Sequence, residues 1–92
     1  MSRQGLLISE KEEGIIRSGK KRFSYWYVNE GGRCVTITRH SGKGVSTFFI
    51  ISGRLTAEEI ADGDDCFLGN NFTDSFRDAL TVAKELLVER AA

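Results

Sequence analysis

Hydrophobic residues recur at steps of three and four near the C-terminal end of the chain. This period places them along one side of an α-helix that runs from about residue 74 to about residue 90. Thr73 or Asp74 is placed to accept hydrogen bonds from the first backbone N–H groups of the helix. The apolar stripe consists of Phe76, Ala79, Leu80, Ala83, Leu86 and Leu87. Each large side chain gains about 1.5 to 3 kcal/mol on burial, so we expect the stripe to pack on another apolar surface.

Three segments before this helix are rich in β-branched and aromatic residues, which favour β-strands. They cover residues 22–28, 33–40 and 45–52, and both connections between them contain Gly and Asn or Ser, which is typical of turns. The pattern predicts an α+β fold, in which an antiparallel β-meander of three to five strands packs on the C-terminal α-helix.

The length of the first turn decides which side chains face the helix, because a shift of one residue inverts every position along a strand. We expect a three-residue loop that places Asn29 opposite Arg33, and a second turn that places Ser41 opposite Gly44. The helix side then carries Phe23, Tyr25, Tyr27, Val35, Ile37, Phe48 and Ile50. The other side carries Ser24, Trp26, Thr36, Thr38, Thr47, Phe49 and Ile51. A different first turn would exchange Trp26 and the tyrosines.

The regions on either side of the meander are less regular. Residues 5–17 are compatible with a hairpin or with a short helix that Ser9 and Glu12 cap. A short helix is predicted near residues 56–62, with Thr56 as its cap and Gly63 as its end. Residues 63–71 are expected to form a loop held in place by Phe67 and Leu68.

Length and composition predict the number of domains and the cellular location of the protein. The 92 residues predict one small domain, residues 1–92, with one modest core. The longest apolar run, residues 48–51, is far shorter than the roughly 20 residues of a membrane span, so no contact with a membrane is expected. The apolar segment at the N-terminus is too short for a signal peptide, and we therefore expect a cytoplasmic location.

The net charge of zero conceals an asymmetry between the two halves of the chain. Residues 1–43 contain nine Lys or Arg against four acids, and residues 44–92 contain four against nine. The basic half also holds the aromatic segment of residues 23–27. Cations beside aromatic rings are typical of surfaces that bind nucleic acid or another acidic partner. The candidate binding residues are Arg17, Lys20, Lys21, Arg22, Trp26, Lys43 and Phe49.

No pattern in the sequence indicates catalysis. Gly42-Lys43 lacks the glycine five residues earlier that a phosphate-binding loop requires, because residue 37 is Ile. His40 has no nucleophile and carboxylate at a spacing that implies a triad. Cys34, Cys66 and this one histidine are too few for a standard zinc site. We expect no enzymatic activity, no metal and no cofactor.

Two classes of function remain. The first is a non-enzymatic binding module, such as a small bacterial or phage regulator or inhibitor that docks on a protein partner, or on a second copy of itself, through its sheet face. Exposed aromatic residues and overall neutrality favour this class. The alternative is a nucleic-acid-binding domain that holds DNA or RNA with the basic aromatic residues 17–43.

Overall fold

The computed structural model describes residues 7–17, 21–42, 44–63 and 71–89. The strands form one antiparallel sheet in which neighbours in sequence are neighbours in space. The elements in chain order are β1 (Leu7–Ile15), β2 (Arg22–Glu30), β3 (Arg33–Gly42), β4 (Val45–Ser52), α1 (Ala57–Ala61), β5 (Asn71–Thr73) and α2 (Phe76–Glu89). The predicted α+β meander with a C-terminal helix and a short helix is confirmed.

The C-terminal helix α2 packs its apolar stripe on the sheet, as predicted. Ala79, Ala83 and Leu87 are buried there, and the other stripe residues are partly buried around them. The capping residue differs from the prediction, since the Ser75 hydroxyl accepts a hydrogen bond from the Asp78 amide at 3.4 Å. The helix therefore begins one residue later than a cap at Asp74 would allow.

The short helix α1 forms where the sequence predicts it. The Thr56 hydroxyl accepts a hydrogen bond from the Glu59 amide at 3.2 Å, and the Glu59 carboxylate accepts one from the Thr56 amide at 2.9 Å. This reciprocal pair is a capping box. The helix ends at Ala61 with Asp62 as its C-cap, and the chain turns away at Gly63, whose φ of 86° only glycine adopts readily. Within α1, the side chain of Ile60 is fully buried.

The predicted register of the first hairpin is wrong by one residue. Gly31 and Gly32 have φ values of 61° and 83° and form a two-residue turn, which pairs Glu30 with Arg33. Two consecutive positive φ angles give a turn whose twist matches that of the strands, and two glycines make it accessible. Trp26 therefore lies opposite Ile37 on the α2 side of the sheet.

The corrected register produces two clusters of buried side chains, one on each side of the sheet. The α2 side buries Val28, Val35, Ile37, Phe48, Ile50, Ala79, Ala83 and Leu87. The α1 side buries Ile16, Phe23, Tyr25, Tyr27, Ile51, Leu55 and Ile60. Phe23 and both tyrosines were predicted to face α2 and instead lie on the α1 side. The second turn is displaced by one residue, pairing Gly42 with Val45; this shifts the register of β3 and β4 by two residues, and the even shift leaves the predicted sides of both strands unchanged.

The N-terminal segment is neither the predicted hairpin nor the predicted helix. It is one strand, β1, which pairs with β2 and contains a register shift between Glu10 and Glu13. Gly14 allows close packing, because a Cβ atom there would lie 2.5 Å from Cζ of Phe23. The predicted loop also ends earlier than expected, since Asn71 already belongs to β5. Phe67 and Leu68 lie outside the described residues.

Candidate functional site

The α1 side of the sheet is covered unevenly. The short helix α1 lies next to β1 and β2, where Phe23, Tyr25 and Tyr27 are buried. At β4 and β5 the same side carries four side chains that are not buried. We call this surface the β4–β5 corner; it consists of Val45, Thr47, Phe49 and Phe72.

The β4–β5 corner is mainly apolar. Phe72 is 66% exposed and Val45 is 62% exposed, although both are large hydrophobic residues. Phe49 lies opposite Phe72, with ring centroids 6.1 Å apart, and its other neighbour is the His40 ring at 4.8 Å. Three rings thus run across β3, β4 and β5. Within the described residues, the other exposed large apolar side chains are Ile8, Ile15 and Val88, which lie on β1 and α2.

The predicted cations lie toward one end of the sheet. Arg22 pairs with Ser41 of β3, which brings Lys21 and Arg22 beside the turn between β3 and β4. Arg17 lies at the end of β1 and forms an ion pair with Asp62, so its charge is already compensated. Lys20 and Lys43 lie outside the described residues.

The two aromatic residues predicted to share one exposed face lie on opposite sides of the sheet. Trp26 packs against Phe76 and Phe48 on the α2 side, at centroid distances of 5.0 and 6.3 Å. The Arg39 guanidinium lies 5.9 Å from the Trp26 centroid. The indole is thus half-buried against side chains of its own chain, and the prediction that Trp26 lies on the face opposite the C-terminal helix is wrong. Phe49 lies on the α1 side, half-buried, in the β4–β5 corner.

Arg39 is a half-buried cation that has no acidic partner within the described part of the chain. Its Nη2 donates to the Ser24 hydroxyl at 3.3 Å, and its Nε is buried without a hydrogen-bond partner. The Ser24 hydroxyl also lies 3.4 Å from the Glu13 carboxylate. Among the described residues, no carboxylate lies within 4.0 Å of the charged nitrogens of Arg39 or of Arg22.

Two groups on the α1 side titrate above their usual range. Burial raises the pKa of Tyr25, and the neighbouring Tyr27 and Glu12 add to the effect while Arg54 opposes it. Burial also raises the pKa of the Cys34 thiol against the opposing charge of Arg54. Both shifts favour the protonated, uncharged form, which does not suit a nucleophile.

The described residues contain no group of three His, Cys, Asp or Glu side chains that could hold a metal ion. Within the same ranges, neither helix is long and apolar enough to cross a membrane.

The sequence predictions missed most of the β4–β5 corner. Phe72 belongs to a strand of three residues, too short to produce a recognisable alternation. Val45 was placed correctly in a strand, but nothing in the local pattern shows that its side of the sheet is left uncovered. That property depends on where α1 ends and β5 begins.

Comparison with known proteins identified no relative of this chain. The chain matches no protein-family model, no curated protein and no solved structure.

Proposed function

We propose that this protein is a non-enzymatic binding module, a small regulator or inhibitor, that docks on a protein partner through the β4–β5 corner. The observation that carries the proposal is the exposure of Phe72 and Val45 beside Phe49 on one side of the sheet. Contiguous exposed apolar groups of this kind mark interaction surfaces, and aromatic residues dominate the binding energy of such surfaces.

The position of the corner also supports docking. β5 is the last strand of the sheet and contains only three residues, so a partner can reach the Phe72 ring from the side. Lys21 and His40 line the adjacent cavity, which gives the apolar surface a polar and basic border. An apolar centre with a polar rim is the usual composition of a protein interface. The proposal includes a cytoplasmic location, where Cys34 would remain a free thiol.

A peptide library displayed on phage, selected on the full-length protein, tests this function. The selected peptides are then measured against Phe72→Ser, Val45→Ser and Val88→Ser. The two valines form a matched pair, because they are 62% and 67% exposed and only Val45 belongs to the corner. We expect Phe72→Ser to weaken binding about 30-fold, equivalent to about 2 kcal/mol, and Val45→Ser to weaken it less. Val88→Ser should leave the affinity unchanged.

Either of two results would contradict the docking function. One is a set of peptides whose affinity is the same for wild type, Phe72→Ser and Val45→Ser. The other is failure to enrich any peptide. A thermal melt of each variant ensures that a loss of binding reflects the surface, because exposed substitutions of this kind should change stability by no more than about 0.5 kcal/mol.

Nucleic-acid binding is the second candidate, and two arginines that form no ion pair within the described residues favour it. Arg22 and Arg39 carry charges that no carboxylate compensates within the described residues, and Lys21 lies beside Arg22 in the chain. Phosphates would supply the missing counter-charge. Stacking of a base on Trp26 receives no support, since Phe48, Phe76 and Arg39 already surround the indole.

Salt dependence tests this second candidate. If Lys21, Arg22 and Arg39 each neutralise one phosphate of a duplex, log K should fall with log salt concentration at a slope of roughly −2.7. Replacing Arg22 with Ala should reduce the slope by roughly 0.9. Absence of binding to duplex and single-stranded oligonucleotides at about 100 μM in low salt would remove this candidate, because nonspecific binding at physiological salt is typically in the range of about 1 to 100 μM.

A further inference from the structure

A small cavity adjoins the β4–β5 corner at the end of the sheet where β3 turns into β4. Its volume is about 110 Å³. Sites for drug-sized ligands and cofactors usually have volumes of about 300 to 1,000 Å³, so this cavity suits a single functional group instead. Its lining consists of Lys21, His40, Gly42, Val45, Thr47 and Phe49.

Each polar side chain that lines this cavity carries at least one hydrogen-bond donor. Lys21 carries an ammonium group with three N–H donors, and Thr47 carries a hydroxyl. The side chain of Lys21 passes over Gly42, where a Cβ atom would lie 3.5 Å from the lysine Cγ. Among the residues that the structure describes, none that lines the cavity is acidic and Lys21 forms no ion pair. A negatively charged group is therefore the complementary occupant.

The walls of the cavity are apolar on the side of the corner. Val45 and Phe49 belong to both the cavity and the corner, and Phe49 leads on to Phe72. A ligand that occupies both the cavity and the β4–β5 corner needs a negatively charged end on a short apolar stem. It also needs an apolar group beside that stem, which contacts the corner. An Asp or Glu side chain next to a hydrophobic residue in a polypeptide has this combination, whereas a phosphodiester backbone lacks the apolar neighbour.

We propose that this cavity binds the carboxylate of an acidic side chain of the protein partner, while an adjacent hydrophobic residue of that partner packs on Phe49 and Phe72. This inference rests on the docking function proposed above and specifies the chemistry of the partner. Lys21 supplies the charge, Thr47 a further donor, and the apolar corner supplies most of the contact area.

A charge reversal at Lys21 tests the inference directly. Peptides with amidated C-termini are selected from a synthetic library on immobilised wild-type protein, so that any carboxylate must come from a side chain. We expect a consensus with one Asp or Glu beside a hydrophobic residue. Selection on Lys21→Glu should lose the acidic position or replace it with Lys or Arg. The matched control is Arg22→Glu, which makes the same charge change at the next exposed residue, on the opposite side of the sheet, and should keep the acidic consensus.

Affinity measurements on one selected peptide complete the test. Changing its acidic residue to the corresponding amide should weaken binding to wild type about tenfold, because a charge-assisted hydrogen bond is lost. The same change should have little effect on binding to Lys21→Glu. In nuclear magnetic resonance spectra, both peptides should shift the resonances of Phe49 and Phe72, and the acidic peptide should shift those of Lys21, Thr47 and Gly42 more strongly than the amide peptide.

The outcomes separate the two proposals. If Phe72→Ser abolishes binding but acid and amide peptides bind equally, the docking function stands and the carboxylate pocket is wrong. If Phe72→Ser and Val45→Ser both leave binding unchanged, the docking function is wrong and the pocket inference fails with it. Displacement of the peptide by inorganic phosphate or by an oligonucleotide at comparable concentration would also overturn the inference, since it would assign the cavity to a phosphate.

Discussion

On the α2 side of the sheet, a helix of 14 residues packs a stripe of Ala and Leu side chains mainly on β3 and β4. On the α1 side, a helix of five residues and the chain before it are held in addition by hydrogen bonds from side chains. Thr36 donates to the Gly53 carbonyl at 2.8 Å and accepts from the Leu55 amide at 2.9 Å. The Tyr27 hydroxyl donates to the Leu55 carbonyl at 2.8 Å.

The difference between the two sides shows how a small sheet combines stability with an exposed binding surface. The long helix removes apolar area from water along most of the sheet, so we assign the larger share of the folding free energy to it. The short helix covers β1 and β2 and stops there. Hydrogen bonds from Thr36 and Tyr27 hold the segment before α1 in place. We infer that α1 can therefore stay short, so that it leaves the β4–β5 corner exposed. The following predictions test this division of roles.

The largest effect is expected for a deletion on the α2 side. Leu87 is 1% exposed within the main cluster, so Leu87→Ala should reduce the free energy of unfolding by about 2 to 5 kcal/mol through lost burial and a residual cavity. Urea denaturation measures the loss. Val88→Ala is the matched control one residue later, exposed to solvent, and should change stability by less than about 0.5 kcal/mol. Equal effects at the two positions would mean that α2 does not pack as described.

The next effect concerns the hydrogen bonds of the α1 side. Thr36→Val keeps the shape of the side chain but leaves the Leu55 N–H and the Gly53 carbonyl without their partner. We expect a loss of about 1 to 3 kcal/mol, because unpaired buried polar groups are costly. Thr47→Val, on the same side of the sheet but half-buried, should be close to neutral. A neutral result for Thr36→Val would show that packing alone holds the α1 side.

A smaller and more local effect is expected at the cap of α1. Thr56→Ala removes the hydroxyl of the capping box and should cost about 1 kcal/mol. The expected signature is faster hydrogen exchange of the Ile60 and Asp62 amides, which donate within this helix, with no change in the amides of α2. Faster exchange throughout both helices would instead mean that the two sides of the sheet open together.

The smallest effect is a loss of stability in alkali that originates on the α1 side. The raised pKa values of Cys34 and Tyr25 mean that the folded protein holds these protons more tightly than the unfolded chain. Their contribution is complete below the ordinary values, 9.0 for the thiol and 10.0 for the phenol, and is lost as the pH rises through the higher folded values. The denaturation midpoint of wild type should therefore fall above about pH 9. A Cys34→Ala, Tyr25→Phe variant should show a shallower decline, and an identical decline would refute the assignment.

Local patterns were sufficient for the elements whose signals lie within a few residues. The period of the apolar residues gave the position of α2 and its buried stripe, and Thr56 and Gly63 marked both ends of α1. The first of these signals reflects burial of one face, and the others reflect backbone groups that need a partner within the same turn. The candidate site was predicted less well. Lys21, Arg22 and Phe49 are surface or half-buried residues as expected, whereas Trp26, also half-buried, packs on the α2 side against Phe48 and Phe76.

The sequence by itself determined the meander of β2, β3 and β4, the place of the helices and the presence of cations near one end of the sheet, whereas the strands β1 and β5 were not predicted as such. The tertiary structure alone decided which side of the sheet each aromatic residue occupies, because two-residue and three-residue turns are both compatible with Gly31 and Gly32 but invert every side chain of β2. It also decided that Phe72 and Val45 stay exposed. Phe72 and Val45 are exposed because the five-residue helix α1 packs on β1 and β2 and not on β4 and β5. Such packing joins segments that are far apart in the sequence, and a local pattern does not reveal it.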